Sequence, residues 1–149
     1  MAAANIEFLR RARLFLELDE HTLNEIANAA VEQRWEAGQD IVRQGEPGIG
    51  MFVIRSGKVD ILQEHAGTPE KMAQLGPGDA FGEMALLDEF PRSATVRAVE
   101  PTTCLGLTRW HFRGILESHP QIALKLLPIL TRRIRNAEAH AHAPEEISH

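Results

Sequence analysis

Residues 81–96 read FGEMALLDEFPRSATV. A Gly-Glu pair, Gly82-Glu83, opens the stretch, and Met84–Leu87 form a short apolar run. Two acidic residues follow, then Pro91-Arg92-Ser93-Ala94-Thr95. Neither the alternation of a strand nor the stripe of a helix calls for a Glu near one end and an Arg near the other, with small residues beside each. A site that holds an anion and a polyol at a fixed separation does. The planar fork of Arg92 suits a pair of anionic oxygens. Gly82 lets backbone come close to a ligand. Backbone N–H groups at the start of a short helical turn add to an anion site. Ionised Glu83 only accepts hydrogen bonds, so it suits a hydroxyl group, and Ser93 can donate to an anion. The same residues also fit a plain Glu83–Arg92 surface ion pair spanning a helical turn between strands, and the residues alone leave both readings open.

Around this stretch, residues 36–107 read as all-β. Short apolar segments alternate with Gly-rich turns: DIVRQ, GEPGIG, MFVIRSG and KVDILQEH, with further strands at KMAQL, SATVRAV and TCLGL. Clustered β-branched and apolar residues with turns every eight to twelve residues indicate a sandwich or barrel.

Helical segments flank this region. Asn5–Arg13 is short and amphipathic. Asp19 is placed to cap a second helix in which Leu23, Ile26, Ala27 and Ala30 share a face, and that helix is expected to run to near Trp35. After the strands, Thr108 caps a helix carrying Phe112, Ile115 and Leu116, and His119-Pro120 breaks it. Pro120 then suits the first turn of a longer helix through Ile122, Leu126, Ile129, Leu130 and Ile134. Pro128 inside it removes one backbone hydrogen bond and is expected to kink it. The helix is expected to end near Asn136, with residues 137–149 a frayed tail.

Composition bounds the function. The 149 residues carry a formal charge of −5, with 44% hydrophobic and 25% charged residues. This is a globular composition without the basic surplus of a phosphate-gripping nucleic-acid binder. The cluster Arg132, Arg133, Arg135 is expected to solvate a face or complement a helix C-terminus. Cys104, the single cysteine, excludes an internal disulfide and reads as a small buried hydrophobe. MAAANIEFLRR lacks the apolar core of a signal peptide, and no run approaches the ~18 apolar residues of a membrane span. A soluble, cytoplasmic protein is expected.

The motif Phe81-Gly82-Glu83-Met84-Ala85-Leu86 followed by Pro91-Arg92-Ser93-Ala94-Thr95-Val96 resembles the phosphate-binding cassette of the cyclic-nucleotide-binding domain family. That family includes catabolite activator proteins, protein kinase A regulatory subunits and cyclic-nucleotide-gated channels. Its pattern is F-G-E-x-A-L, a few variable residues, then P-R-x-A-T-V. The resemblance extends over about residues 8–136 and takes in Gly45-Glu46-Pro47-Gly48, Phe52–Val59 and Leu75–Asp79. It implies an α+β fold: an eight-stranded antiparallel jelly-roll barrel, cupin-like in outline, flanked by N- and C-terminal helices in one domain over residues 1–149. It implies that Arg92 neutralises the cyclic phosphate and Glu83 accepts from the ribose 2′-OH. Gly82, Met84, Ala85, Ser93 and Ala94 then complete the cradle. Ile61 and Met72 are aligned with the purine side. It implies that the last helix, around Arg132–Glu138, closes over the base, and a hinge at Leu86 and Leu87 against Phe112 and Leu116 is expected to carry the movement. In the family a Thr after the cassette Arg favours cGMP, whereas Ala or Ser is common in cAMP binders. Ser93 therefore points to cAMP rather than cGMP.

The expected partner is the cyclic nucleotide, with no further cofactor. Thirteen residues follow Asn136, too few for a DNA-binding domain. The chain thus reads as a sensor acting on an effector protein in trans, or as a fragment of a larger regulator, with a homodimer seam along the last helix as a further expectation. Rival readings are weaker. No catalytic residues are assigned. No His-x-His falls within the β-region, and His140/His142 lie in the tail, so no metal site is expected. Gly57-Lys58-Val59 is not a phosphate-binding P-loop. A ligand-free protein-interaction module of the same fold, whose pocket stays empty, is an alternative; a changed ligand on the same fold is disfavoured by the intact Glu83–Arg92 pair.

Overall fold

In the computed structural model, residues 6, 7, 9–88 and 91–141 are described. Ile6, Glu7 and Leu9 are helical, and a 3-10 turn covers Arg13–Phe15. Helix α1 spans Glu20–Ala29. It starts where the sequence places it, because the Asp19 carboxylate accepts from the Thr22 N–H at 2.8 Å. It does not reach Trp35. Ala30 is extended, and Val31–Trp35 form strand β1, paired with the last strand from Val31↔Gly106 to Trp35↔Thr102. A ladder of backbone bonds to a strand 70 residues away outweighs a local helical preference that is weak in the β-branched and aromatic residues at either end of the segment.

The remaining strands are β2 (Asp40–Val42), β3 (Gly50–Ser56), β4 (Val59–His65), β5 (Thr68–Leu75), β6 (Ala80–Phe81), β7 (Thr95–Ala98) and β8 (Thr102–Thr108). They form two antiparallel four-stranded sheets, β1-β8-β3-β6 and β2-β7-β4-β5. Eight antiparallel strands agree with a jelly roll, but the expected barrel is not closed, since among the described residues no strand pairing joins one sheet to the other. Strand β6 was not anticipated. At two residues it is too short to leave a periodic signal, and it is held by pairing Phe81 with Phe52 and Ala80 with Val53.

Strand β3 shows why MFVI is uninterrupted. Met51 and Val53 belong to one hydrophobic cluster, with Leu14, Phe15, Leu23, Phe112 and Leu126 from the helices. Phe52 and Ile54 belong to a second, with Val59, Val96 and Cys104, between the sheets. A strand buried on both faces reads as a continuous apolar run, and its period-2 alternation appears only in which core each residue joins. Strand β5, at the far edge, is exposed along nearly its whole length.

Helix α2 (Arg109–Ser118) is capped by the Thr108 hydroxyl, which accepts from the His111 N–H at 3.1 Å. Helix α3 (Pro120–Ala141) follows. It runs through Pro128 as a single element and past Asn136, so residues 137–141, read as frayed, are helical. His142 and the rest of the tail lie outside the described residues. Two ion pairs hold α3 to the N-terminal part: Lys125 Nζ to Asp19 at 2.6 Å, and Arg132 to both oxygens of Glu17 at 2.8 Å. No helix among the described residues is long and apolar enough to cross a membrane.

Candidate ligand-binding site

Strand β6 delivers the chain to Gly82, which adopts the left-handed conformation (φ 78°, ψ 16°), and a 3-10 turn follows over Glu83–Leu86. The left-handed region is one that glycine enters without steric cost. Space demands glycine as well: a Cβ here would overlap Nη1 of Arg92 outright and lie 3.0 Å from the Gly50 carbonyl. Gly48 meets the same side chain from the opposite loop. Its Cβ would stand 2.7 Å from the Ala85 Cβ and 3.2 Å from Arg92 Nε. Two glycines thus clear a slot for one guanidinium.

The backbone on either side of Arg92 is clamped. Arg92 N–H donates to the Glu46 carbonyl at 2.8 Å, and Gly45 N–H donates to the Arg92 carbonyl at 2.9 Å. Pro47 and Pro91 form an isolated bridge beside them. Arg109, at the start of α2, donates to the Gly48 carbonyl at 3.0 Å and the Asp88 carbonyl at 3.3 Å, which ties both loops to the helix. The Arg92 guanidinium donates through Nη2 to the Gly50 carbonyl. Burial pushes its pKa below the ordinary value; a desolvated cation held this way favours an anionic partner.

Glu83 does not pair with Arg92, so the surface ion pair that the sequence left open is absent. Its Oε2 accepts from the Leu14 N–H at 3.0 Å, and its Oε1 accepts from Arg133 Nη2 of α3 at 2.8 Å. Arg133 also lies 3.5 Å from the Met84 sulfur. A carboxylate has about four lone-pair positions, so two donors leave acceptor capacity for a hydroxyl.

An open cavity of about 680 Å³ lies over these residues, within the size range of small-molecule sites. Of the residues singled out in the sequence, Gly82, Glu83, Met84, Ala85, Arg92 and Ser93 line it. Ala94 does not, nor do Ile61 and Met72. Ile61 packs against the inter-sheet cluster, and Met72 is exposed on β5. Leu86 packs in one cluster with Phe112, with Leu116 against it, whereas Leu87 is partly exposed. Sequence reasoning missed Arg11, Asp88 and Pro91 in the lining and the Glu83 contacts of Leu14 and Arg133. The Leu14 contact is a backbone donation, which carries no side-chain signature. Arg133 falls in the segment expected to close over the base, and its charge is expected to solvate a face or complement a helix C-terminus; instead it is largely buried against Glu83. No group of three or more His, Cys, Asp or Glu residues that could hold a metal ion occurs among the described residues.

Residues 32–119 match the model of the cyclic nucleotide-binding domain. The chain is 42% identical over 102 residues to a cyclic AMP receptor protein from Thermus thermophilus, covering 68% of this chain and 47% of that protein. It is 39% identical over 144 residues to a cGMP-dependent protein kinase from Eimeria tenella, covering 97% of this chain and 14% of the kinase. Among solved structures, the N-terminal domain of a transcriptional regulator from Streptomyces coelicolor superposes with a TM-score of 0.80 at 30% identity, over 87% of this chain and 94% of that one. The regulatory domain of Toxoplasma gondii PKA with cAMP superposes with a TM-score of 0.71 at 35% identity, over 76% and 44%. The chain spans less than half the length of the sequence relatives named here.

Proposed function

Because the chain belongs to the cyclic nucleotide-binding domain family, we propose that it is a cytoplasmic sensor that binds cAMP in preference to cGMP and passes the signal on through helix α3. The observation that carries this reading is the slot made by Gly48 and Gly82 for the Arg92 guanidinium, opening on the same cavity as Glu83. In this reading Arg92 takes the cyclic phosphate, assisted by Ser93. Glu83 accepts from the ribose 2′-OH, and Gly82, Met84 and Ala85 shape the cradle. Charge-assisted hydrogen bonds to a half-buried guanidinium give the phosphate its anchor. No group is assigned to turnover, and the ligand is released unchanged.

Signal transfer follows from Arg133. Its bond to Glu83 connects α3 to the residue that meets the ribose, so the arrangement of α3 and ligand occupancy are linked. Ligand shifts the helix between two arrangements to the extent that it binds one more tightly. The effector is a protein acting in trans, or further domains of a longer regulator; nucleic acid contacts are not assigned to these residues. Leu124, Leu127 and Ile134 are exposed along α3 at spacings of three and seven, which suits a seam with a second copy or an effector helix.

A second reading, cGMP as the preferred ligand, is favoured by the match to the Eimeria kinase over nearly the whole chain. Calorimetric titration with cAMP and then cGMP decides between them. Micromolar or tighter binding, lost in Arg92→Ala, is the expected result. Absence of heat with either ligand from folded protein would leave the protein-interaction module of the same fold. Amide exchange over residues 120–136 should change on saturation; an unchanged pattern would remove α3 from the mechanism.

A further inference from the structure

The N-terminal segment supplies a cavity residue that the cassette motif does not contain. Arg11 lines the same cavity as Arg92 and Glu83. Its backbone is fixed: Leu9 and Ala12 on either side are buried, and three residues on, the Leu14 N–H is bonded to Glu83. Its side chain is exposed and has no hydrogen-bond or ion-pair partner among the described residues.

The guanidinium lies flat. A Cβ built at Gly78 would be 3.5 Å from Cζ of Arg11, 3.6 Å from Nη1 and 3.7 Å from Nε. An approach in the plane of a guanidinium meets a nitrogen first. The carbon being nearest means that Gly78 faces the flat side of the group. Gly78 itself is held by its N–H bond to the Ile54 carbonyl at 2.8 Å. The N–H edges of Arg11 are therefore left to a ligand.

The ligand group that meets them follows by elimination. Arg92 and Ser93 take the phosphate end and Glu83 takes the ribose. Among the remaining lining residues Ala80, Phe81, Ala85 and Pro91 carry no side-chain donor, Met84 offers only a thioether and Asp88 is an acceptor when ionised. Arg11 is the side-chain donor left for the base among the lining residues. We propose that Arg11 is a second ligand-binding arginine, which donates to the acceptor edge of the purine. Adenine and guanine both present N7 there, and guanine adds O6.

The inference rests on the cavity being a cyclic-nucleotide site. The test is titration of the full chain and of Arg11→Ala with cAMP and with 7-deaza-cAMP, which lacks N7, with melting curves as a folding control. The expected result is a loss of about tenfold in cAMP affinity in Arg11→Ala, the scale of one hydrogen bond to a charged group, with an unchanged melting temperature. The wild type should bind the deaza analogue more weakly than cAMP, and Arg11→Ala should bind the two alike. Equal cAMP affinity in wild type and Arg11→Ala overturns the role of Arg11 and leaves the cavity reading standing. An N7 deletion that costs both proteins the same overturns the contact to the purine edge. Wild-type protein that binds neither cAMP nor cGMP removes the cavity reading, and this inference with it.

Discussion

Arg133 Nη2 and Glu83 Oε1 lie 2.8 Å apart and join the last helix to the turn that follows β6. Both side chains are largely withdrawn from solvent, so the pair is screened less than a surface ion pair. Arg133→Ala should free the end of α3. Amide exchange over residues 130–138, without ligand, is expected to rise about tenfold, equivalent to about 1.4 kcal/mol. Unaltered exchange would mean that the helix is held by its apolar face alone.

Gly82→Ala tests the slot. The left-handed backbone costs a side chain about 1–2 kcal/mol, and the new methyl group also meets the Arg92 guanidinium. The expected outcome is a lowered melting temperature together with loss of more than tenfold in cyclic-nucleotide affinity. A variant that melts earlier but binds as before would show that Arg92 has room to relocate.

Asp40 gives a pH signature. Its hydrogen bond from Arg97, at 2.7 Å, holds the carboxyl below its ordinary value of 3.8, with Arg43 adding to the effect. A depressed carboxyl contributes stability above the unfolded value and loses it as pH falls through the folded one. Wild type should exceed Asp40→Asn by less than about 1 kcal/mol at pH 7, because the Arg97 side of the pair is nearly half exposed and screened by solvent. The gap should narrow as pH falls below 3.8 and close once the folded carboxyl is protonated. Denaturant curves at pH 7 and through the acid range check this; a gap that persists in acid would point to packing rather than charge.

Cys104 is fully buried between the sheets, and burial pushes its thiol up to about 12. Thiolate is the reactive form. Labelling by a thiol reagent at pH 8 should therefore proceed only at the rate of unfolding and accelerate with denaturant. Rapid labelling of the native protein would show that the space between the sheets opens locally.

Legibility followed the range of the interaction. Caps were readable, because Asp19 and Thr108 act three residues away. The pair Gly82 and Arg92 was readable as a motif, although the reason for the glycine, a methyl group's worth of room for a guanidinium, is a contact between loops. What escaped depends on distance along the chain. Local pattern extends the helix through β1, because the partner that makes it a strand, β8, lies about 70 residues on. Arg133 reads in sequence as one of three arginines that solvate a face or complement a helix C-terminus, since nothing near it in sequence names Glu83. Arg11 sits in a segment that reads only as an amphipathic helix, and its place over Gly78 comes from how that segment packs.

Glu83 takes one donor from a residue at the beginning of the chain and one from a residue near its end, Leu14 and Arg133. Upstream and downstream meet on two oxygen atoms of one carboxylate. A polypeptide joined before the first strand and one joined after the last helix would pull on the same point, and occupancy of that point would be felt in either direction. On the proposed function, such a module would have no fixed word order: an output fused ahead of it and one fused behind it would be coupled to the same carboxylate.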